Sequence, residues 1–323
     1  MTLPSLTLPS PLHRLDATSS RLRRDVWVKR DDLIPELLGG NKARKNVAIL
    51  RAALAPEGAV PNVLITNGGV QSNHARVVAL LGARLGVKVH LVLHGSPGTY
   101  RAGNSNLSVA HMAGADTHFV SPDAIAETIA NLTESAAARG ERALVVPGGG
   151  HSEEGAAAYE AAVDELPFAP ACIVVASGTG GTQAGLIRGV RRRGWNTRVI
   201  GVSVARDQQR GVSAVRELLR DADDMQVEFR DEFRFGGYGA RAPELDRFIE
   251  MTVREDAMLL DATYTGKAMY ALHQLAASGE LGANRDTVVF WCTGGLLNMN
   301  IVDVDPDPGP GEEPFPPQRS DAY

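Results

Sequence analysis

Short apolar runs alternate with longer helix-like segments along this chain, and this alternation limits the possible folds more than any other feature. Strand-like runs are found at residues 63–66, 89–93, 118–120, 143–146, 173–176, 199–203 and 288–291. Helix-like segments cover about residues 73–86, 106–112 and 122–139. Parallel strands joined by crossover helices give this βαβα order. We therefore predict an α/β fold with mainly parallel sheets and helices on both faces.

Composition excludes several classes of protein. The net charge is -5, so we expect no nucleic-acid partner. The densest basic run, Arg188 with residues 191–193, follows a helix-like stretch, and we interpret it as a solvated helix end. No apolar stretch approaches ~18 residues, so we expect no membrane partner. The cysteines Cys172 and Cys292 lie in apolar runs, which indicates buried thiols in a reducing compartment and a cytoplasmic protein. The histidines show no zinc-type spacing, so we expect no metal.

The last segment, residues 303–323, differs in composition from the rest. It contains six prolines among acidic and polar residues. Such a segment cannot bury enough apolar surface to fold by itself. We predict an extended or disordered tail without a catalytic role.

The chain contains only five lysines, and one of them stands where a helix opens after two glycines. This is Lys42, in the segment Gly-Gly-Asn-Lys-Ala-Arg-Lys at 39–45. A lysine amine that forms a Schiff base is the usual attachment point for pyridoxal phosphate, whereas arginine stays protonated. Lys29 and Lys88 border strand-like runs and fit solvated charges better. Lys42 is thus a candidate cofactor lysine, with a plain surface lysine as the alternative.

A second glycine-rich loop follows the apolar run at 173–176. Residues 176–186 read Ala-Ser-Gly-Thr-Gly-Gly-Thr-Gln-Ala-Gly-Leu and open a helix. Backbone N–H groups in such a loop converge on an anion, and the helix dipole favours negative charge there. No lysine follows the last glycine, so this is not a Walker loop. A phosphate site, a tight strand–helix turn and the nucleotide loop of an oxidoreductase remain open.

Taken together, these segments resemble one family. The chain is similar to the fold-type-II pyridoxal-phosphate enzymes that include D-cysteine desulfhydrase and 1-aminocyclopropane-1-carboxylate deaminase. The motifs that carry the resemblance occur in the family's order at residues 29–32, 39–45, 71–74, 177–185, 237–239, 261–267 and 293–295. The resemblance implies a tryptophan synthase β-like fold of two three-layer α/β/α domains. It also implies a large domain of 1–46 and 150–302, a small domain of 47–149, and a homodimer.

The resemblance implies roles in cofactor binding. Lys42 would carry pyridoxal phosphate and move the Cα proton of the substrate. Asn73 would bond the ring hydroxyl, and Thr265 would meet the pyridine nitrogen with Thr293 nearby. The phosphate would be bound by Gly178, Thr179, Gly180, Gly181 and Thr182.

A further set of positions would meet a small amino-acid substrate. Ser72 would hold the substrate carboxylate or take part in proton transfer. Tyr264 would lie against the cofactor ring, and Tyr238 would face the substrate. The full substrate set is Gln71, Ser72, Asn73, His74 and Tyr238.

The residue at position 265 indicates the reaction. The cyclopropane deaminases of this family carry glutamate there, which keeps the pyridine nitrogen protonated and the ring a strong electron sink. Threonine is neutral, and a weaker sink suffices when a good leaving group departs from Cβ. We therefore predict α,β-elimination, with D-cysteine giving pyruvate, sulfide and ammonia. A β-replacement synthase and a cyclopropane deaminase-like enzyme remain alternatives, and two departures from the family pattern, Arg241 and Cys292, bear on substrate choice.

Overall fold

The computed structural model describes residues 2–54, 61–95, 105–219, 226–283 and 286–299. Its strands are β1 (Leu12–Arg14), β2 (Val26–Arg30), β3 (Val63–Gly69), β4 (Lys88–His94), β5 (Asp116–Phe119), β6 (Ala143–Val146), β7 (Cys172–Ser177), β8 (Arg198–Ser203), β9 (Glu228–Arg230) and β10 (Val288–Cys292). Its helices are α1 (Asp16–Leu22), α2 (Gly40–Leu54), α3 (Asn73–Leu85), α4 (Asn106–Met112), α5 (Ile125–Ala138), α6 (Glu153–Ala162), α7 (Gly181–Arg192), α8 (Gln208–Arg216), α9 (Pro243–Asp256) and α10 (Thr265–Ala277).

The strands form two sheets. The larger has the order β1-β2-β10-β7-β8-β9, and the smaller has the order β5-β4-β3-β6. Only the pair of β1 and β2 is antiparallel among the described pairs. The predicted α/β fold with mainly parallel sheets is therefore confirmed. The smaller sheet takes its strands from one continuous stretch of chain, while the exact domain boundaries stay a prediction.

Strand β7 is buried on both faces, as its apolar sequence requires in a parallel sheet. Val174 and Ala176 face a cluster that includes residues of α10. Ile173 and Val175 face the opposite cluster, which includes residues of α6 and α7. Because side chains alternate along a strand, helices cover both faces of this sheet. The smaller sheet repeats the arrangement, with Leu64 packed beside α3 and Ile65 beside α5.

The prediction that Lys29 is a solvated charge was wrong. Lys29 is fully buried, and its ammonium lies 2.6 Å from Glu165 Oε2 and 2.5 Å from the carbonyl oxygen of Ser10. The side chain of Lys88 is exposed as predicted and pairs with Glu141. Lys29 belongs to β2, a central strand of the larger sheet, where a charge is tolerated only with such partners.

Other predictions from composition have mixed outcomes. Cys172 and Cys292 are buried free thiols, as expected. Arg188 does not lie at a solvated helix end, because it is buried and pairs with Glu153 and Glu160. None of the helices in the described part of the chain has the length and apolar character needed to cross a membrane. The predicted tail, 303–323, lies outside the described residues.

Candidate active site

A cavity of about 600 Å³ lies where the carboxyl ends of strands from both sheets meet. Ligands of open α/β sheets bind at this edge, because the loops that leave parallel strands converge there. Its polar and charged lining residues are Asn41, Lys42, Asn67, Ser72, Asn73, His74, His94, His151, Ser177, Thr179, Thr182, Arg206, Tyr238, Tyr264 and Thr293. The described lining includes no aspartate or glutamate.

Two lysines of α2 point toward one end of the cavity. Lys42 Nζ donates to the carbonyl oxygen of Gly149 at 3.0 Å, and Lys45 Nζ donates to the same oxygen at 2.9 Å. Burial lowers the pKa of Lys42 to about 8. Burial, followed by the nearby charge of Lys42, lowers the pKa of Lys45 well below its ordinary value. An amine with a pKa near 8 is partly neutral at physiological pH and can act as a nucleophile or base.

Helix α2 is brought to the cavity by close backbone contacts at its start. Gly40 has a φ of +79°, and a Cβ atom there would lie 2.7 Å from the carbonyl oxygen of Thr293. Asn41 N donates to that same oxygen at 2.9 Å. Only glycine allows this approach without strain. Gly40 therefore allows the start of α2 to lie against the loop that follows β10.

The loop between β7 and α7 has the features of an anion site. A Cβ atom at Gly181 would lie 2.8 Å from Lys45 Nζ and 3.6 Å from His151 Nδ1, so both groups face the start of α7. Ser177 Oγ and His151 Nδ1 are buried and have no hydrogen-bond partner among the described residues. Helix N–H groups, an ammonium and unpartnered polar atoms at one place fit a phosphate.

The turn between β3 and α3 forms the opposite side of the cavity. Ser72 caps α3, and its hydroxyl oxygen accepts a hydrogen bond from Ala75 N at 3.2 Å. Asn73 lines the cavity, and its Oδ1 atom is buried without a partner in the described structure. A hydroxyl, a side-chain amide and the first N–H groups of a helix suit a carboxylate or a ring hydroxyl.

His74 lies in the wall of the cavity as a neutral ring. Thr66 Oγ1 donates to the carbonyl oxygen of Val146 at 2.7 Å, so it accepts from His74 Nε2 at 2.8 Å. His74 Nδ1 then accepts from Asn46 Nδ2 at 3.1 Å. Burial, together with the charges of the two nearby lysines, lowers its pKa well below the ordinary value. Both ring nitrogens are used by the protein, so His74 supports the site through its position.

Two tyrosines meet at the cavity wall. The hydroxyl oxygens of Tyr238 and Tyr264 lie 2.8 Å apart, and their rings pack edge to face with centroids 5.9 Å apart. Tyr264 immediately precedes α10, whereas Tyr238 belongs to a glycine-rich loop. This hydroxyl pair can hold or pass a proton beside the reacting molecule.

Thr265 and Thr293 occupy different environments. Thr265 is buried, and its hydroxyl donates to Asp261 Oδ1 at 2.7 Å. Asp261 also accepts from the backbone N–H groups of residues 263–265, so its carboxylate is fully bonded within the protein. Burial raises the pKa of Asp261 despite these bonds. Thr293 lines the cavity, whereas Thr265 and Asp261 lie behind the described lining.

Most residues predicted for the site come together, but some do not line the cavity. Gln71 holds α4 instead, because its Oε1 accepts from Asn106 N at 3.0 Å. Gly181 lies at the start of α7, close to Lys45 Nζ, and is not part of the lining. Arg241 is engaged by Asp246 at 2.8 Å and is also outside the lining. The predicted residues that do line it are Lys42, Ser72, Asn73, His74, Gly178, Thr179, Gly180, Thr182, Tyr238, Tyr264 and Thr293.

Sequence reasoning gave no role to several residues near the cavity, namely Asn41, Lys45, Asn67, His94, His151 and Arg206. One signal was available, since Lys45 follows Lys42 by three positions and so shares its helix face. His94 ends β4, whereas His151 and Arg206 follow β6 and β8. Their proximity depends on the packing of the two sheets and left no local pattern.

Comparison with known proteins agrees with this geometry. The family described as "Pyridoxal-phosphate dependent enzyme" matches residues 4–294. A protein of Pyrococcus horikoshii named putative 1-aminocyclopropane-1-carboxylate deaminase is 34% identical over 300 residues, which cover 89% of each chain. The D-cysteine desulfhydrase of Klebsiella pneumoniae is 36% identical over 282 residues, covering 82% of this chain and 85% of that protein.

Solved structures give the same result. The crystal structure of an ACC deaminase homologue superposes with a TM-score of 0.81 at 32% identity and covers 92% of this chain and 91% of that one. A threonine deaminase structure has a TM-score of 0.65 at 20% identity, covering 88% of this chain and 92% of that one, and shares the fold alone.

Proposed function

Because the chain belongs to the pyridoxal-phosphate-dependent enzymes, as a fold-type-II lyase of the group that holds ACC deaminase and D-cysteine desulfhydrase, we propose that it eliminates the Cβ substituent of a small amino acid. The leading substrate is D-cysteine, which would give pyruvate, sulfide and ammonia. The support comes from the cavity and from the relatives' names.

The observation that carries this proposal is the lack of a carboxylate in the described lining of the cavity. A carboxylate beside the pyridine nitrogen would keep that nitrogen protonated and strengthen the electron sink. Asp261 is the carboxylate nearest in sequence to this wall, and its four hydrogen bonds are all made to residues 263–265. Neutral hydroxyls therefore face the cavity, which suits loss of a good leaving group better than opening of a cyclopropane ring.

The described residues fit pyridoxal phosphate. Gly178 to Thr182, with the ammonium of Lys45, would hold the phosphate, and His151 Nδ1 would contribute there. Asn73 would bond the ring hydroxyl through its side-chain amide. When bound, the cofactor supplies an electron sink that acidifies the Cα–H bond of an amino acid.

The chain supplies the proton transfers. Lys42 would accept the Cα proton, since burial lowers its pKa to about 8 and so favours the neutral amine. The hydroxyl pair of Tyr238 and Tyr264 would give a proton to the departing group. Ser72 Oγ accepts from Ala75 N, which leaves its own proton available for the substrate carboxylate.

A second candidate, ring opening of 1-aminocyclopropane-1-carboxylate, is supported by the name of the Pyrococcus horikoshii relative. The purified holoenzyme should be assayed with D-cysteine, L-cysteine and 1-aminocyclopropane-1-carboxylate. We expect pyruvate and sulfide in a 1:1 ratio from one cysteine enantiomer, D in the leading case, and negligible 2-oxobutanoate from the cyclopropane. Robust release of 2-oxobutanoate would overturn the proposal. Consumption of cysteine only when a second thiol is added would favour β-replacement.

A further inference from the structure

We propose that Lys267 is a positioning residue whose side-chain ammonium fastens the loop of residues 234–239 and thereby sets Tyr238 against Tyr264. The proposal rests on the proposed function only in assigning Tyr238 to the reaction. The fastening itself can be tested without any substrate.

The contacts of Lys267 define the arrangement. Its side chain is fully buried near the start of α10. Its Nζ atom donates to the carbonyl oxygens of Gly237 at 2.6 Å, Arg234 at 2.8 Å and Val204 at 3.4 Å. An ammonium has three N–H donors, so these carbonyls use all of them. Two of the three belong to the loop, and the third follows β8 at the cavity wall.

The ammonium has no carboxylate in contact within the described part of the chain. Burial lowers the pKa of Lys267 to about 8, although the charge of Asp261 acts in the opposite direction. A buried ammonium without a counter-ion is costly, and backbone carbonyls are the groups that compensate it here. A methionine of similar length could fill the same space without that cost. Packing alone therefore does not explain a lysine at this position. Its contacts indicate that it stabilises the loop.

The loop needs such an anchor because its backbone is unusual. Phe235 has a φ of +52°, and Gly236, Gly237 and Gly239 have φ values of +93°, +131° and +69°. Glycines in these conformations lose much conformational entropy when they are ordered. Within the loop the backbone bonds are short-range turns, such as Gly237 N to the Arg234 carbonyl at 3.0 Å. A cation that binds the same two carbonyls holds the turn closed.

Holding the loop closed positions Tyr238, the residue after Gly237. Tyr238 is 43% exposed, so packing alone does not fix its ring. Its hydroxyl nevertheless lies 2.8 Å from that of Tyr264, which precedes Lys267 by three residues. One tyrosine of the pair thus immediately precedes α10, and the ammonium that places the other tyrosine lies in the first turn of that helix.

The first experiment measures cleavage of the loop in the full-length holoenzyme without substrate. Lys267→Met keeps the side-chain length but removes the donors. We expect trypsin to cleave after Arg234 about tenfold faster than in the unmodified protein, because the loop opens more often. The matched control is Lys29→Met, which also removes a fully buried ammonium but lies on β2. Equal cleavage after Arg234 in both variants, at the unmodified rate, would overturn the proposal.

If Lys267→Met does not fold, a variant that retains N–H donors can be used in the same trypsin experiment. Lys267→Gln supplies an amide with two N–H groups. We expect cleavage after Arg234 at a rate between those of the unmodified protein and a fully released loop. A rate equal to that of the unmodified protein would contradict the role of the ammonium, because the amide lacks its charge and one of its three donors.

The second experiment connects the loop to catalysis through a double-mutant cycle on the holoenzyme, with the amino acid that the substrate screen identifies. We expect Lys267→Met to lower kcat in the unmodified background but to add little once Tyr238→Phe is present, because both changes disrupt one pair. Fully additive losses would overturn the role through Tyr238. If the enzyme eliminates the Cβ substituent of none of the amino acids, the proposed function is wrong. The trypsin comparison still tests whether Lys267 holds the loop.

Discussion

The ammonium groups of Lys42 and Lys45 donate to one and the same atom, the carbonyl oxygen of Gly149, at 3.0 and 2.9 Å. Two cations at one acceptor repel each other, and burial adds to the cost of charging either of them. The arrangement favours a neutral amine at Lys42 and a bound anion beside Lys45. Lys42 lines the cavity, whereas Lys45 is fully buried and faces the start of α7. We therefore propose that Lys42 provides the attachment point and that Lys45 binds the phosphate.

The first prediction concerns the attachment point. Borohydride reduction of the holoenzyme, followed by proteolysis and mass spectrometry, should find the pyridoxyl group on Lys42. Lys42→Ala should abolish the labelling. Label on Lys45, whose amine lies at the same carbonyl, would reverse the assignment.

The pH dependence of cofactor capture is the second prediction. The pKa of Lys42 is lowered from 10.5 to about 8, so the reactive neutral amine is the main form above pH 8. Burial, with the nearby charge of Lys42, lowers the pKa values of the neighbouring Lys45 and His74 well below their ordinary values. The rate at which the cofactor-free protein captures pyridoxal phosphate should rise with pH and level off above about 8. A rate that still climbs between pH 9 and 10.5 would contradict the lowered pKa.

The third prediction separates the phosphate from the rest of the cofactor. Lys45→Met should weaken binding of pyridoxal phosphate by about tenfold or more, because a charge-assisted hydrogen bond is lost. Binding of pyridoxal, which has no phosphate, should change little. Lys88→Met removes an exposed lysine and serves as the control. Equal losses for both ligands would argue that Lys45 acts on the fold and not on the phosphate.

A fourth prediction concerns a buried carboxylate behind α2. Asp31 is fully buried and accepts from Ser10 Oγ, Arg44 Nη2, Tyr159 Oη and Trp291 Nε1 at 2.5 to 2.9 Å. Burial alone would raise the pKa of Asp31, but the Arg44 charge and these hydrogen bonds outweigh it and lower the pKa. Asp31→Asn should lower the free energy of unfolding by roughly 3–5 kcal/mol, because Arg44 loses a buried partner.

The sign of the pH effect follows from the same shift. The unfolded chain protonates Asp31 at a higher pH than the folded chain does, so the stabilisation is complete above the ordinary pKa of 3.8 and is lost as pH falls below it. Urea unfolding at pH 7 and pH 3 should therefore show a smaller difference between Asp31→Asn and the unmodified protein at pH 3. Asp16→Asn, at an exposed side chain, is the control and should change stability little at pH 7.

Local sequence was sufficient for most of the fold. The segments predicted at 106–112 and 143–146 match α4 and β6 residue for residue. The prediction at 122–139 was less accurate, since the chain first forms a short 3-10 turn at Pro122–Ala124 before α5 begins. Periodicity and turn residues act over a few positions, and those are the distances at which the elements are decided.

Local sequence was enough to predict the order of strands and helices, the glycines that start α2 and α7, and the lysine at the cavity. Each depends on residues that are neighbours in the chain. Packing between distant segments places Lys29 against Glu165 and Lys45 against the second glycine loop. It also directs Thr265 to Asp261, while Thr293 faces the cavity. Burial and charge depend on groups brought together from distant segments, and they set the pKa values on which the chemistry depends.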